Sequence, residues 1–332
     1  MGDFDSSLRS RVQRFIRRDT PQFASFMSLL ACTLLATVSL ILGQWEHSLV
    51  IQTNGYISLI DIGNSLLFLA AIDRSTKTAD LSFNYGYGKY ESLAILVSAN
   101  LLIALTVVTI VQAISLLQAP PQDTNSTVLL VWSAFTFLVM RHTARRLERY
   151  ANRFHQPMLR YDAELWRIDS LVELGVIIGL VVGAVLRAFN WYATAAVVDA
   201  VTSISLLLVT LKVPIQHGAE AFRQLTDRTL PPEMQEEVLT IINQNRNAMC
   251  EFQSVHTRQS GRDIFIEVDI TMPYYFRLDE LYAIERELLI KLRERFPTAI
   301  ARVYVTPCDR HCELANGTST CPLKQQAIRP AH

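Results

Sequence analysis

Ser48–Ile72 reads SLVIQTNGYISLIDIGNSLLFLAAI, a stretch long enough to cross a bilayer with Asp61 as its single charge. About 20 apolar residues span the hydrocarbon core. A carboxylate near the centre of such a segment costs roughly 2.5–3.5 kcal/mol on insertion scales, so an acid there marks a functional position. Asp169 and Glu173 repeat the pattern, one before and one inside a run that is otherwise uncharged to Leu186. Intramembrane acids of this kind point to a membrane protein that handles cations or protons.

Working outward, Pro21–Trp45 carries no charge, and neither does Ser92–Gln122. Thr124–Met140 is uncharged but short, so a fourth span must borrow from the Arg-rich segment after it. Ser170–Leu186 holds only Glu173, and Ala188–Leu211 holds only Asp199. Six spans is the natural count. The Lys/Arg distribution sets their orientation. Arg9, Arg11, Arg14, Arg17 and Arg18 precede the first span. Arg74, Lys77 and Lys89 lie between spans two and three, and Arg141 to Arg160 between four and five. The other connections carry almost no Lys or Arg, only Arg187 in the third. This alternation predicts both termini in the cytoplasm and, for a bacterial chain, residence in the inner membrane. The first apolar run is too long for a cleavable signal peptide.

The 332 residues are half hydrophobic and carry no formal net charge, but the two properties are segregated along the chain. An arm (1–20) precedes a membrane domain (21–213), and a charged globular region (214–306) follows it. Past Pro214 the sequence reads as a connecting stretch. Pro231-Pro232-Glu233 then opens a helix with Met234, Val238, Ile241 and Ile242 at helical spacing. Phe252–Thr257 and Asp263–Met272 alternate as strands around a turn at Gln259–Arg262. Leu278–Phe296 is an amphipathic helix and Ile300–Val305 a short strand. The order is αββαβ, a small α+β, ferredoxin-like layer under a hundred residues long with one sheet face left for a partner. A tail (307–332) carries Cys308, His311, Cys312 and Cys321 at spacings unlike the standard zinc patterns; it reads either as a metal-capture segment or as incidental thiols. Four of the five cysteines lie beyond Pro214, which argues against a disulfide framework in a reducing compartment.

Local wording now carries a resemblance. Asn84-Tyr85-Gly86-Tyr87-Gly88-Lys89-Tyr90-Glu91-Ser92, Leu225-Thr226-Asp227-Arg228-Thr229-Leu230-Pro231, Thr257-Arg258-Gln259-Ser260-Gly261 and Arg295-Phe296-Pro297 resemble motifs of the cation diffusion facilitator family. The similarity runs from about Phe23 to Pro307 and is nearest to bacterial zinc/iron efflux antiporters. It implies a homodimer that exports a divalent cation in exchange for protons, with no resident cofactor and no nucleic-acid partner. It also implies a four-ligand transport site, with pairs four residues apart in the second and fifth helices and so on one face of each. Here Asp61 and Asp169 match the second member of each pair, whereas Ile57 and Leu165 stand at the first. Two oxygens are too few for tight zinc binding. Glu173, one turn beyond Asp169, forms a shifted oxygen-only set with Asp61 and Asp169, completed by Asn54, Ser58, Asn64 or Ser65, or else pairs with a lipid-side or neighbouring-helix donor. Such a set suits harder ions such as Mn²⁺, Mg²⁺ or Fe²⁺.

Other family metal positions are stripped. Asp80 persists, but Phe83 and Tyr87 occupy histidine positions beside it. Gln253, Asp269, Tyr282, Tyr304 and Thr306 stand where zinc-binding relatives place His or Asp. Lys89 and Asp227 match a charge pair that interlocks the two protomers in the family. Asp162 and Glu164 are placed at the cytoplasmic mouth of the fifth helix, where they attract cations or offset Arg160 and Arg167. Asp199 reads as a helix-packing hydrogen bonder, and the scattered histidines as structural. The competing reading is a non-transporting relative that acts as a partner or sensing subunit. An enzyme is disfavoured, since no nucleophile–base pair is apparent and Gly86-x-Gly88 lacks a nucleotide-site setting.

Overall fold

The computed structural model describes residues 17, 19–45, 49–116, 126–191, 202, 205–206, 208–245, 249–274 and 276–308, with the side chains at 49–57, 112–116, 126 and 187 left aside. The Ile57 and Asn54 side chains, Asp199, His311, Cys312 and Cys321 therefore lie outside the described set. The chain divides into two compact units, Met1–Arg223 and Gln224–His332.

The first unit holds helices α1 (Pro21–Trp45), α2 (Leu49–Ser75), α3 (Lys89–Leu116), α4 (Ser126–Phe154), α5 (Pro157–Ala188) and α6 (Lys212–Leu225). Among the described residues, four stretches are long and apolar enough to cross a membrane: Pro21–Trp45, Lys89–Val111, Thr127–Phe154 and Pro157–Leu186. At 1.5 Å per residue, α2 is about 40 Å long. Helix α1 packs along α2 and α4 along α5, with α2 also against α3. Exposed aliphatic residues such as Leu34, Leu66, Val97, Val131 and Ile178 cover the outside of this unit, as lipid-facing positions require. Its core gathers Phe68, Ile72, Leu147, Met158, Leu159 and Tyr161, each under 3% exposed.

The fifth helix begins at Pro157 and so includes Leu165 and Asp169, as the pairing four residues apart requires. Charged residues did not end it, because Arg160, Glu164 and Arg167 share one side, Asp162, Asp169 and Glu173 another, and apolar residues fill the rest. One expectation is corrected here: the stretch after Pro214 is also helical, as α6. Pro214 is accommodated because it sits in the first turn, where its missing N–H breaks no internal bond. Val213 and Ala221 of α6 are buried in the helical core, so this helix belongs with the first unit. The fourth helix does borrow from the Arg-rich segment, reaching Phe154.

The second unit has the expected order: α7 (Pro232–Gln244), β1 (Glu251–Ser260), β2 (Asp263–Met272), α8 (Leu278–Arg295) and β3 (Ala299–Pro307). The sheet order is β1-β2-β3. β1 pairs antiparallel with β2, with an irregularity between Phe252 and Ser254. β3 lies parallel to β2, which requires the crossover that α8 supplies. Gly261, at φ 60°, makes the tight β1–β2 turn. Ile264, Ile266, Val268 and Ile270 alternate inward on β2 and pack with Val238, Ile242, Leu288 and Leu292. On the other face, the Arg258 guanidinium lies 4.4 Å over the Phe265 ring.

Candidate functional site

Inside the first unit lies a cavity of about 340 Å³ whose wall includes Asp61, Asp162, Asp169 and Glu173. Helical spacing puts them there. On α2, Ser58, Asp61, Ser65 and Phe68 recur at intervals of three and four; on α5, Asp162, Trp166, Asp169 and Glu173 recur at four, three and four. α1 adds Cys32 and Ser39, and α4 adds Trp132 and Thr136. No Lys, Arg or His side chain is among the described lining residues.

The acids differ in their surroundings. Asp162 is 4% exposed. Ser28 and Trp166 stand within hydrogen-bonding reach of its carboxyl, and the Trp166 Nε1–H donates to Ser28 Oγ at 2.8 Å. Its Oδ2 has no protein partner. Glu173 accepts a hydrogen bond from Ser133 on α4, which is the neighbouring-helix pairing weighed for it above. Asp169 is exposed and lines the cavity; Asp61, Asp162 and Glu173 all lie close enough to repel it. Cys32 Sγ and Ser65 Oγ are 3.3 Å apart and hydrogen bonded. Leu165, which the resemblance set at the first position of the fifth-helix pair, is on the same wall. Among the described residues, no three His, Cys, Asp or Glu side chains converge as they stand to hold a metal ion.

Asp162, expected at the cytoplasmic mouth of the fifth helix, is the most buried acid of the cavity, at 4% exposed. The signal was in the spacing, because Asp162 precedes Asp169 by seven residues, two turns along one helix face. Glu164 is on the other side of α5, where His217 Nε2 is 2.8 Å from its Oε2. That side opens on a second cleft of about 580 Å³ lined by Arg141, Arg145, Arg160 and Arg167 with Glu148 and Glu164. Helix α5 thus presents acids to one space and arginines to another.

The remaining metal positions are occupied by structural bonds. Asp80 Oδ1 accepts the backbone N–H groups of Ser82 and Phe83, each at 2.8 Å. Its Oδ2 accepts the Tyr87 hydroxyl at 2.6 Å, and the Phe83 and Tyr87 rings lie 4.4 Å apart. The Tyr87 hydroxyl, aided by the backbone donors, holds the Asp80 carboxyl below the usual carboxylate range. Where relatives place imidazoles, this loop has a hydrogen-bonded aromatic turn. In the second unit, Asp269 accepts from Ser254 and Gln253 donates to Thr271 at 2.8 Å, while Tyr282 and Tyr304 are exposed. Asp227, at φ 52°, accepts from Arg258 Nη1 at 3.2 Å, and Lys89 is the first residue of α3.

A family model described as the cation efflux transmembrane domain matches residues 25–226. The chain belongs to the cation efflux family. A second model, the cytoplasmic domain of cation efflux proteins, matches residues 230–308. The cation-efflux pump FieF of Yersinia pestis (strain Pestoides F) is 25% identical over 300 residues, covering 87% of this chain and 95% of that protein. FieF of Yersinia pseudotuberculosis serotype O:3 (strain YPIII) gives the same figures. A solved CzrB chain, in its Zn form, is 24% identical and covers 26% of this chain and 96% of its own, with a TM-score of 0.24. Family membership makes this a membrane-spanning cation efflux transporter, as its motifs predicted.

Proposed function

We propose that the chain works as a homodimer with six spans and both termini in the cytoplasm. It exports a divalent cation across the inner membrane in exchange for protons. Asp61 and Asp169 contact the cargo, and Glu173 is a third ligand or a proton carrier. The observation that carries this reading is the cavity walled by four acids with no described cationic side chain. A carboxylate oxygen binds a metal only when it gives up its proton, so one set of oxygens couples the two fluxes. Rocking of helices about this site exposes it to each side in turn. Lys89 and Asp227 interlock the protomers through the αββαβ, ferredoxin-like cytoplasmic layers. That relatives are named cation-efflux pumps supports the direction of transport.

The test is uptake of Mn²⁺, Fe²⁺ and Zn²⁺ by proteoliposomes under an imposed pH gradient. Wild type should transport, and Asp61→Asn with Asp169→Asn should not; equal flux in both would sink the proposal. The second reading, a non-transporting partner or sensing subunit, draws on Leu165 in the cavity wall and on Asp80 and Asp269 being engaged in hydrogen bonds. It predicts no cation binding to the membrane unit by calorimetry, together with a deletion phenotype that depends on another membrane protein.

A further inference from the structure

Three deeply buried oxygens belong to residues that line one cavity. Asp162 Oδ2, Asn64 Oδ1 and Thr136 Oγ1 all lack a protein hydrogen-bond partner, and their residues are 4%, 6% and 6% exposed. All three residues line the cavity that Asp61 and Asp169 share. Burying a polar oxygen without a partner costs roughly 1–3 kcal/mol, and more for a charged one. Three in one small space would be a large penalty unless something that oxygen binds occupies it. Buried carboxylates are compensated by paired cations or by metals, and no Lys, Arg or His is among the described lining residues.

We infer that Asp162 is a cation ligand, part of an oxygen-only station in which Asp61 and Asp162 supply charge and Asn64 and Thr136 supply neutral oxygens. The station takes an oxygen-preferring divalent cation, of which Mn²⁺ is the working probe. It rests on the reading of this cavity as the cargo site. Carboxylate, amide and hydroxyl oxygens are the donors that hard divalent ions favour, while thiolates and imidazoles favour zinc. Among the described lining residues there is no imidazole and no thiol besides Cys32, which is hydrogen bonded to Ser65. The Ser28–Trp166 pair stands beside the Asp162 carboxyl and leaves Oδ2 without a protein partner, so that oxygen is available to a ligand, as where partners behind a ligand hold it in place. The two carboxylates with neutral donors account for a site in which no three acids converge.

The experiment uses the full chain in lipid nanodiscs. Mn²⁺ binding is followed by electron paramagnetic resonance and calorimetry, with Zn²⁺ as competitor. Asp162→Asn should weaken Mn²⁺ binding by roughly 10–100-fold, with smaller losses for Asn64→Leu and Thr136→Val. If Asp162→Asn does not fold, the other two variants and the spectrum of Mn²⁺ on the wild type decide the matter; nitrogen coupling in that spectrum overturns the station. Wild-type affinity in Asp162→Asn, beside loss in Asp61→Asn, overturns the role of Asp162 but leaves the transport reading intact. Loss of binding in Cys32→Ser but not in Asp162→Asn replaces the oxygen set with a thiolate one. Absence of any cation binding by the wild type overturns both.

Discussion

Trp166→Phe isolates the bond that holds α1 against α5 beside Asp162. The Trp166 Nε1–H and Ser28 Oγ are 2.8 Å apart, and the residues are 6% and 0% exposed. A smaller aromatic ring remains after the change, but the N–H donor is lost. An isolated hydrogen bond is worth about 0.5–1.5 kcal/mol net, and a stranded buried partner costs about 1–3 kcal/mol. Bonds between helices in a membrane average nearer 0.6 kcal/mol, because the reference state also finds partners. Each of Trp166→Phe and Ser28→Ala should therefore cost about 1–3 kcal/mol. The double variant should cost less than their sum by about 0.6–1.5 kcal/mol. The loss of ring volume in Trp166→Phe occurs on both sides of the cycle and cancels. Equilibrium unfolding in mixed detergent micelles measures all four corners. Additivity within about 0.3 kcal/mol would refute the coupling and, with it, the claim that this pair orients Asp162.

Tyr87→Phe removes the first cause of the lowered Asp80 pKa. A depressed carboxylate stabilises the turn above its unfolded pKa and stops doing so as pH falls through the folded value, so the variant turn should open at a higher pH on acidification. Digestion of the 76–89 loop by an acid-active protease reads this, and identical pH profiles would contradict it. Leu292→Ala empties a fully buried site under the sheet and should cost about 2–5 kcal/mol, seen as faster hydrogen exchange of β2 amides. Gly175→Ala would place a Cβ 2.7 Å from Leu206 Cδ2 and should cost about 1–3 kcal/mol by overpacking. Leu206→Ala in the same chain should restore most of it, judged by unfolding in micelles.

The C-terminal unit was legible almost to the residue because its signals are local. Alternation at Ile264, Ile266, Val268 and Ile270 fixed the inner face of β2, and Gly261 fixed the turn. Spans without charge were equally plain, as Pro21–Trp45 shows. Hydropathy was a weaker guide where charge and helix coexist. α5 runs through Arg160, Asp162, Glu164 and Arg167 because its two polar faces open on different clefts, and no running average of hydropathy separates faces. The family pattern directed attention to Asp61 and Asp169, the matched positions, and away from Asp162, whose depth is set by α1 and α4 packing beside it. Ser28 and Thr136 had no sequence signal at all. A serine or threonine in an apolar helix usually bonds its own backbone, as Thr33 and Thr143 do.

The ladder Asp162–Asp169–Glu173 has a bearing on energetics across the bilayer. Its ends are eleven residues apart, about 16 Å along the axis, or half of a hydrocarbon core about 30 Å thick. An ion that climbs it crosses a comparable share of the membrane potential. For a doubly charged ion and half the field, that is about 2.3 kcal/mol per 100 mV. Two protons returning by the same steps would cancel this work, whereas a single proton would leave half of it. The voltage dependence of flux would therefore report the number of protons returned per ion.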